Sequence, residues 1–593
     1  MADKWNLNDI YPGYESEEYK IDFDLIVPMI KEMDELSNEL KTFEDVKNLM
    51  ILREKFLEKL YRLYSLSSYT NATDTSSPEA AKNMYLLRTM SADGSRAIVR
   101  LCAFLAKQDD ISKLAKEYDF EFYTFQMQKM ADDFKHMLSE DEETLLAKLT
   151  PTGSSAWTTL HNKLLSTLTC EYKDPKDGGK VKTININECR NLAYDKDSDV
   201  RKAAYEAELK AYPSIAEASA ASLNSIKGEV NILSRMRKFS DPLENTLFDS
   251  LMTRETLDAM FKAIDENVDS LRGYLKLKAN YLNKTIGTNY NGLPFYEMFA
   301  PLGDSSDKEL TYDEAKKFVS ENFGKFSESM KEVAEEAFAN DWIDVYPYDG
   351  KVSGAFCGNI YAIKQFRILL NYGNSLSDAI TLAHELGHGY HAMQIMKERM
   401  LNTSFPMPLA ETASTFCEVI VTNAALESLE ESAQLQILES SLQDSTQVIL
   451  DIYSRFLFEK SVFETREDHP LSVDEFNELM LKAQKTAYGD GLDHELLHKY
   501  MWIAKGHYYS AGRNYYNFPY AFGHLLANGL YKIYQDDPAS FGKKYDSFLR
   551  ASGKMPMKES CQMLGIDIES VDFWKDALDV IKERIKKFEE LTK

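Results

Sequence analysis
The chain has 593 residues, more than one ordinary core holds and enough for roughly two to four domains. Its residues are 44% hydrophobic and 28% charged, the balance of a globular protein and not of a disordered one. Acidic residues number 95 against 69 lysines and arginines, a formal charge of −26 that argues against gripping nucleic-acid phosphates or docking on anionic lipid.

The opening stretch MADKWNLNDIYPGYESEEYK has no basic start followed by an apolar run, so no signal peptide is expected. Residues 22–40 and 45–66 carry apolar positions at three-to-four spacing, predicting amphipathic helices, and the pattern returns over 81–107 and 111–138. Residues 168–172 and 180–186 flank the turn sequence Asp174-Pro-Lys-Asp-Gly-Gly179 and predict a β-hairpin. Helical periodicity resumes over 199–234, 254–281 and 312–340. Residues 351–372 are rich in β-branched and aromatic side chains, with glycines at 354 and 358, and predict a second small β element. A further helix is expected over 571–591, and no repeat of fixed period is present. The expected architecture is mainly α, with a division near residue 200 between an N-terminal helical region carrying the hairpin (1–200) and the remainder (201–593).

Six cysteines (Cys102, Cys170, Cys189, Cys357, Cys417, Cys561) are scattered without CxxC spacing, which excludes a zinc ribbon or finger and suggests reduced thiols in a cytoplasm. An uncharged window over 514–531 contains Pro519, Gly523, His524 and three asparagines, a poor composition for a membrane span. A cytoplasmic protein with no nucleic-acid and no membrane partner is expected.

HExxH occurs twice, at His384-Glu385-Leu-Gly-His388 and at His494-Glu495-Leu-Leu-His498. The motif puts two imidazoles at i and i+4 on one helix face, with a glutamate beside them to act as base. Between 379 and 396 the only carboxylate is Glu385 and there is no lysine or arginine, the composition of a helix buried around a working site. The second copy follows Asp493, which reads as an N-cap, and precedes Lys499, whose charge opposes cation binding. His494 and His498 are therefore expected at the surface.

Catalytic zinc takes three protein ligands and keeps an open position. His391, at i+7 from His384, is a geometric candidate, but the metzincin pattern requires glycine there and histidine at Gln394. The other candidates are Glu411 and Glu418, the only charged residues in 405–426 and seven apart on one face of an expected helix. Two carboxylates in apolar surroundings need a compensating cation. Glu411 is the expected third ligand, Glu418 the residue that orients a ligand imidazole, and His391 a core or supporting residue. Further along, 507–520 reads HYYSAGRNYYNFPY, with five tyrosines in the stretch. Phenols and an imidazole can donate to an oxyanion without carrying charge, and the residues alone do not rank the five.

Taken together, SGAF, LLNY, TLAHELGHGYH, PLAETASTFCE, HYY and YYNFPYAFG resemble the oligoendopeptidase F branch of the thimet-oligopeptidase (M3) family of zinc metallopeptidases, most strongly over 341–523. The resemblance implies two helical lobes around a deep channel that admits short unstructured peptides. It implies one zinc ion held by His384, His388 and Glu411, with Glu385 as general base. Tyr520 matches the family's oxyanion donor and His507 its characteristic histidine, with Tyr516 and Tyr509 as further contacts. It also implies that 353–356, with Gly354, Ala355 and Phe356, is an edge strand pairing with the substrate backbone. The function expected is zinc-dependent cleavage of internal bonds in oligopeptides. A zinc carboxypeptidase or dipeptidase on a related helical scaffold is the alternative, and a catalytically silent peptide-binding scaffold is disfavoured because the base Glu385 is present.

Overall fold
The computed structural model describes residues 3–303, 309–428 and 430–593. The fold is mainly α and divides into two compact units, each assembled from three separated stretches of chain. Met1–Met137, Ser306–Ala424 and Ile533–Ile566 form the first, and Leu138–Ser305, Ala425–Lys532 and Asp567–Lys593 the second.

The first unit opens with helices Glu17–Asn38 and Phe43–Thr73, which pack together. Ser16 caps the first, and a reciprocal Thr42–Asp45 capping box starts the second. Their apolar stripes meet in a core that includes Ile26, Met33, Val46, Leu49, Leu63, Leu101 and Tyr123. Periodicity alone overruns several helix ends. The span 81–107 is two helices, Pro78–Asp93 and Ser95–Leu105, parted at Gly94, a poor helix former. The span 111–138 is Ile111–Glu117 and Thr124–Lys135, with Asp119 turned to φ 52° between them. The span 312–340 breaks at Ser327, whose backbone is extended.

A three-stranded sheet also belongs to this unit. Numbering strands along the chain, the hairpin of the second unit supplies β1 (Thr169–Asp174) and β2 (Lys180–Asn185). The sheet consists of β3 (Ile343–Asp344), β4 (Phe356–Ile360) and β5 (Gln365–Leu369), in the order β3-β5-β4. β5 runs parallel to β3 and antiparallel to β4, with Cys357 opposite Ile368. β4 is thus an edge strand, beginning three residues after the expected 353. The helix Leu376–Ile395 packs across β4 and β5. Gly389 permits this, since a Cβ there would sit 2.6 Å from the Phe366 ring.

In the second unit β1 pairs with β2 and packs against Ser198–Ala211, which Pro213 separates from Ala216–Met236 by removing a backbone donor. Its core includes Tyr172, Leu223, Ile226, Phe458, Phe476 and Trp502. Three ion pairs lie fully buried here: Lys227–Glu459 at 2.6 Å, Lys278–Glu439 and Arg201–Glu297. A π-helical turn, Gln447–Asp451, leads into the helix Ile452–Asp468. All six cysteines are free thiols. Among the described residues no helix is long and apolar enough to cross a membrane.

Candidate active site
The HExxH helix starts at a second capping box, in which Ser375 Oγ accepts from the Asp378 N–H and the Asp378 carboxylate accepts from the Ser375 N–H. About two turns along, His384 and His388 share a face, their ring centroids 4.9 Å apart. Glu411 reaches them from a joint and not from the continuous helix expected over 405–426. Met407–Ala410 forms one short turn and Thr412–Ser428 the next helix, with Glu411 between them at φ −87° and ψ −5°. Ser414 Oγ donates both to the Glu411 carbonyl, at 2.9 Å, and to its Oε2, at 3.1 Å, which fixes the carboxylate.

Glu411 Oε2 lies 3.5 Å from His384 Nε2 and 3.5 Å from His388 Nε2. One donor atom from each of the three residues falls within 4.8 Å of the others, the one such grouping among the described residues. His384 Nδ1 is 2.5 Å from Glu418 Oε1. A carboxylate only accepts, so Nδ1 carries a proton, and a neutral ring held this way has Nε2 as its acceptor atom on the side of the cluster. Gly387 lets the two segments approach, since a Cβ there would meet Ala413 O at 2.6 Å and Ser414 Cα at 2.7 Å.

Three carboxylates, Glu385, Glu411 and Glu418, surround two imidazoles, leaving a local excess of negative charge. Burial pushes the Glu385 carboxyl up, against the pull of His384 and His388. Burial also acts upward on Glu411, but the hydrogen bond and charge of His388, with His384 and Ser414, bring it down to about 2. Burial disfavours a charged His384, yet Glu418 first, then Glu385 and Glu411, raise it to about 9. Glu385 is 5% exposed, and its Oε2 has no hydrogen-bond partner. A buried carboxylate oxygen left unmatched beside two nitrogen donors and one oxygen donor fits a divalent cation with a water or substrate atom to complete the set.

The cluster opens on a cavity of about 350 Å³. Its walls are Ala355, then Phe356, Cys357, Gly358 and Asn359 of β4, together with Phe405 and His391. Gly354 precedes this wall at φ 84°, and its carbonyl accepts from Asn371 Nδ2 at 2.8 Å. His391 is buried, bonded through Nε2 to Ser552 Oγ at 2.9 Å and stacked on Phe405, and stands outside the three-residue cluster.

The second HExxH is not on a helix. Leu293 N donates to Gly491 O and Asp493 N to Leu293 O, so the backbone at 491–493 is held as a bridge where a helix would have to start. Asp493 instead makes a local turn with the Glu495 N–H. His494 is exposed as expected, but His498 is not a surface residue. It is 1% exposed, among Tyr205, Tyr212 and Phe295 and 3.5 Å from Glu208.

The tyrosine-rich segment lies in the second unit. His507 sits in a short turn, Gly506–Tyr509, with Nε2 2.7 Å from Asn517 Nδ2. Burial, with the charges of Arg455, Lys227 and Lys505, takes its pKa down to about 3. Tyr516 and Tyr520 join their hydroxyls at 2.8 Å. The helix Phe518–Asp536 starts just before Pro519, which leaves Tyr520 in its first turn. Tyr509 is wholly buried in the core against His161, where a phenol offers no surface to a substrate. Asn517, Arg455 and Glu459 join this segment's hydrogen bonds, and its tyrosine pattern does not point to them. Arg455 and Glu459 stand one turn apart in IYSRFLFEKSVF, a run that also carries Lys460, so local charge contrast marks them only weakly.

A model of peptidase family M3 matches residues 191–580, and an oligopeptidase F model matches residues 106–169. Oligopeptidase PepF of Bacillus subtilis (strain 168) is 24% identical over 600 residues, covering 99% of this chain and 87% of that protein. Among solved structures, a protein from Chlamydophila abortus superposes with a TM-score of 0.85 at 19% identity, over 100% of this chain and 98% of its own. Oligoendopeptidase-F from Enterococcus faecium gives a TM-score of 0.70, also at 19% identity, over 97% and 99%.

Proposed function
The chain belongs to peptidase family M3, and on that premise we propose that it is a zinc-dependent endopeptidase cutting internal bonds of short unstructured peptides. The observation that carries this reading is the convergence of His384, His388 and Glu411 beside the unmatched Glu385 oxygen. His384 and His388 would hold zinc through Nε2 and Glu411 through its carboxylate. Zinc, when bound, supplies the Lewis acidity that makes water a nucleophile near neutral pH and polarises the scissile carbonyl.

The protein groups do the rest. Glu385 takes the proton of the attacking water and returns it to the leaving amine, a task its raised pKa suits. Glu418 holds the His384 ring in the tautomer that leaves Nε2 free. By the family pattern Tyr520, backed by Tyr516, donates to the oxyanion, and His507 donates to a substrate carbonyl. The edge strand β4, which begins at Phe356, and the residues leading into it, Gly354 and Ala355, offer main-chain groups to the peptide, a mode of recognition that favours extended substrates. A cytoplasmic location belongs to the same proposal.

An internally quenched peptide blocked at both ends tests it. Cleavage within the peptide, abolished by chelator and restored by zinc, is expected, whereas an exopeptidase would leave the peptide intact. Glu385→Gln should keep its zinc while turnover falls by about 100-fold or more; unchanged turnover would refute the mechanism.

A further inference from the structure
Behind the tyrosine-rich segment lies a chain of polar side chains with no part in the reading above. Arg455 pairs with Asp451 one turn earlier. Its Nη1 lies 3.1 Å from Asn517 Oδ1, and Asn517 Nδ2 lies 2.7 Å from His507 Nε2. We propose that Asp451, Arg455 and Asn517 form a relay that fixes the proton of His507 on Nδ1, making that nitrogen a dedicated donor to a carbonyl oxygen of the bound peptide.

The inference follows from what each atom can do. A guanidinium only donates, so the end of the Asn517 amide facing Arg455 is its oxygen. The other end, facing the imidazole, is then the amide NH₂, which also only donates. His507 Nε2 must accept, and a ring that accepts at Nε2 carries its hydrogen at Nδ1. An isolated asparagine could turn over and reverse this polarity, so the guanidinium settles the tautomer two residues away. The charges of Arg455, Lys227 and Lys505 further oppose a second proton on the ring. Among the described residues Nδ1 has no hydrogen-bond partner, although the ring is half-buried.

The loop is held so that the relay keeps its register. Tyr515 adopts φ 50°, a left-handed conformation costly for a tyrosine. Its N–H donates to Glu459 Oε2 at 3.0 Å, and the neighbouring Asn514 Oδ1 accepts from Lys227 Nζ at 3.0 Å. The buried Lys227–Glu459 pair therefore pins the backbone one step before Tyr516 and Asn517. Asp451, Arg455 and Asn517 are positioning residues, and their effect reaches the substrate only through His507.

This proposal rests on the reading that His507 touches the peptide, and its test separates the two. ¹⁵N-detected imidazole spectra of the zinc-loaded enzyme, assigned with His507→Gln, should show the proton on Nδ1 in the wild type. Asn517→Asp, which presents an acceptor to Nε2, should move a proton onto Nε2. In peptide turnover, His507→Ala and Asn517→Asp should each lower kcat by about 100-fold with a smaller change in KM, and the double variant should be no worse than either alone. Protonation at Nε2 in the wild type, or additive losses in the double variant, would overturn the relay. The Nδ1 tautomer together with full turnover in His507→Ala would instead refute the substrate contact, and with it the donor role.

Discussion
Replacing Gly387 with alanine puts one methyl group where the HExxH helix touches the segment carrying Glu411. The new Cβ would lie 2.6 Å from Ala413 O, 2.7 Å from Ser414 Cα and 3.0 Å from Cys417 Sγ. Ordinary contact begins near 3.4 Å, so about 0.8 Å must be found, and two of the three obstacles are backbone atoms that cannot rotate away. Overpacking of this kind costs about 1–3 kcal/mol, while the better helix propensity of alanine returns up to about 1 kcal/mol. The net change in unfolding free energy should therefore be a loss between about zero and 3 kcal/mol. The geometry is less forgiving, because a metal site tolerates displacements of about 0.5 Å and Glu411 follows Ser414. Zinc affinity should fall about 10–100-fold, measured by competition with a chromophoric chelator, with kcat/KM at limiting zinc falling in parallel. Gly542→Ala is the control. Its added Cβ meets nothing within 4 Å, so it should raise stability by about 0.5–1 kcal/mol and leave zinc binding alone. Zinc affinity in Gly387→Ala within about threefold of wild type would show that helix spacing does not set the ligand geometry.

Three further outcomes follow from the structure. Glu418→Ala should weaken zinc binding about 10–100-fold by freeing the His384 ring, and Glu418→Gln should lose less because its amide oxygen still accepts from Nδ1; equal losses in the same chelator competition would contradict the orienting role. Lys227→Met leaves Glu459 buried without its partner and should cost about 3–5 kcal/mol in urea unfolding, more than the paired change Lys227→Met with Glu459→Gln; a neutral single variant would contradict it. Glu143 is held below its ordinary pKa of 4.5 chiefly by the two-point hydrogen bond from Arg237. A lowered carboxylate adds stability above that pKa and loses it as pH falls, so the gap between wild type and Glu143→Gln, about 1 kcal/mol or less for this half-exposed pair, should close below about pH 4.5. A gap that widened in acid would reverse the sign.

The helical class was legible because amphipathic periodicity is written into every helix that lines a core, as in Phe43–Thr73 and Val571–Thr592. Periodicity fails at the breaks, where one residue decides. Gly94, Pro213 and Ser327 interrupt stripes that continue on either side, and Glu411 occupies a joint where the spacing suggested an unbroken helix. The two glutamates were singled out by the absence of other charge around them, a local property of sequence, and they lie beside the HExxH imidazoles. His498 went the other way. Its surroundings are made by Tyr205, Tyr212 and Phe295, residues far away along the chain, which no local pattern reports. The same holds for Asn517, whose meaning depends on Arg455.

The interleaving of the two units bears on when the enzyme can exist at all. His391 leans on Ser552, and Tyr390, in the same helix, bonds to Asp546, so the last stretch of the first unit buttresses the HExxH helix. A ribosome adding about 5–20 residues per second delivers residue 552 several seconds to half a minute after residue 411. During that interval His384, His388 and Glu411 have all been made, but the helix that bears the two histidines lacks its contacts with residues 546 and 552. The contacts of Asp546 and Ser552 with that helix are therefore among the last of the first unit that the chain can form.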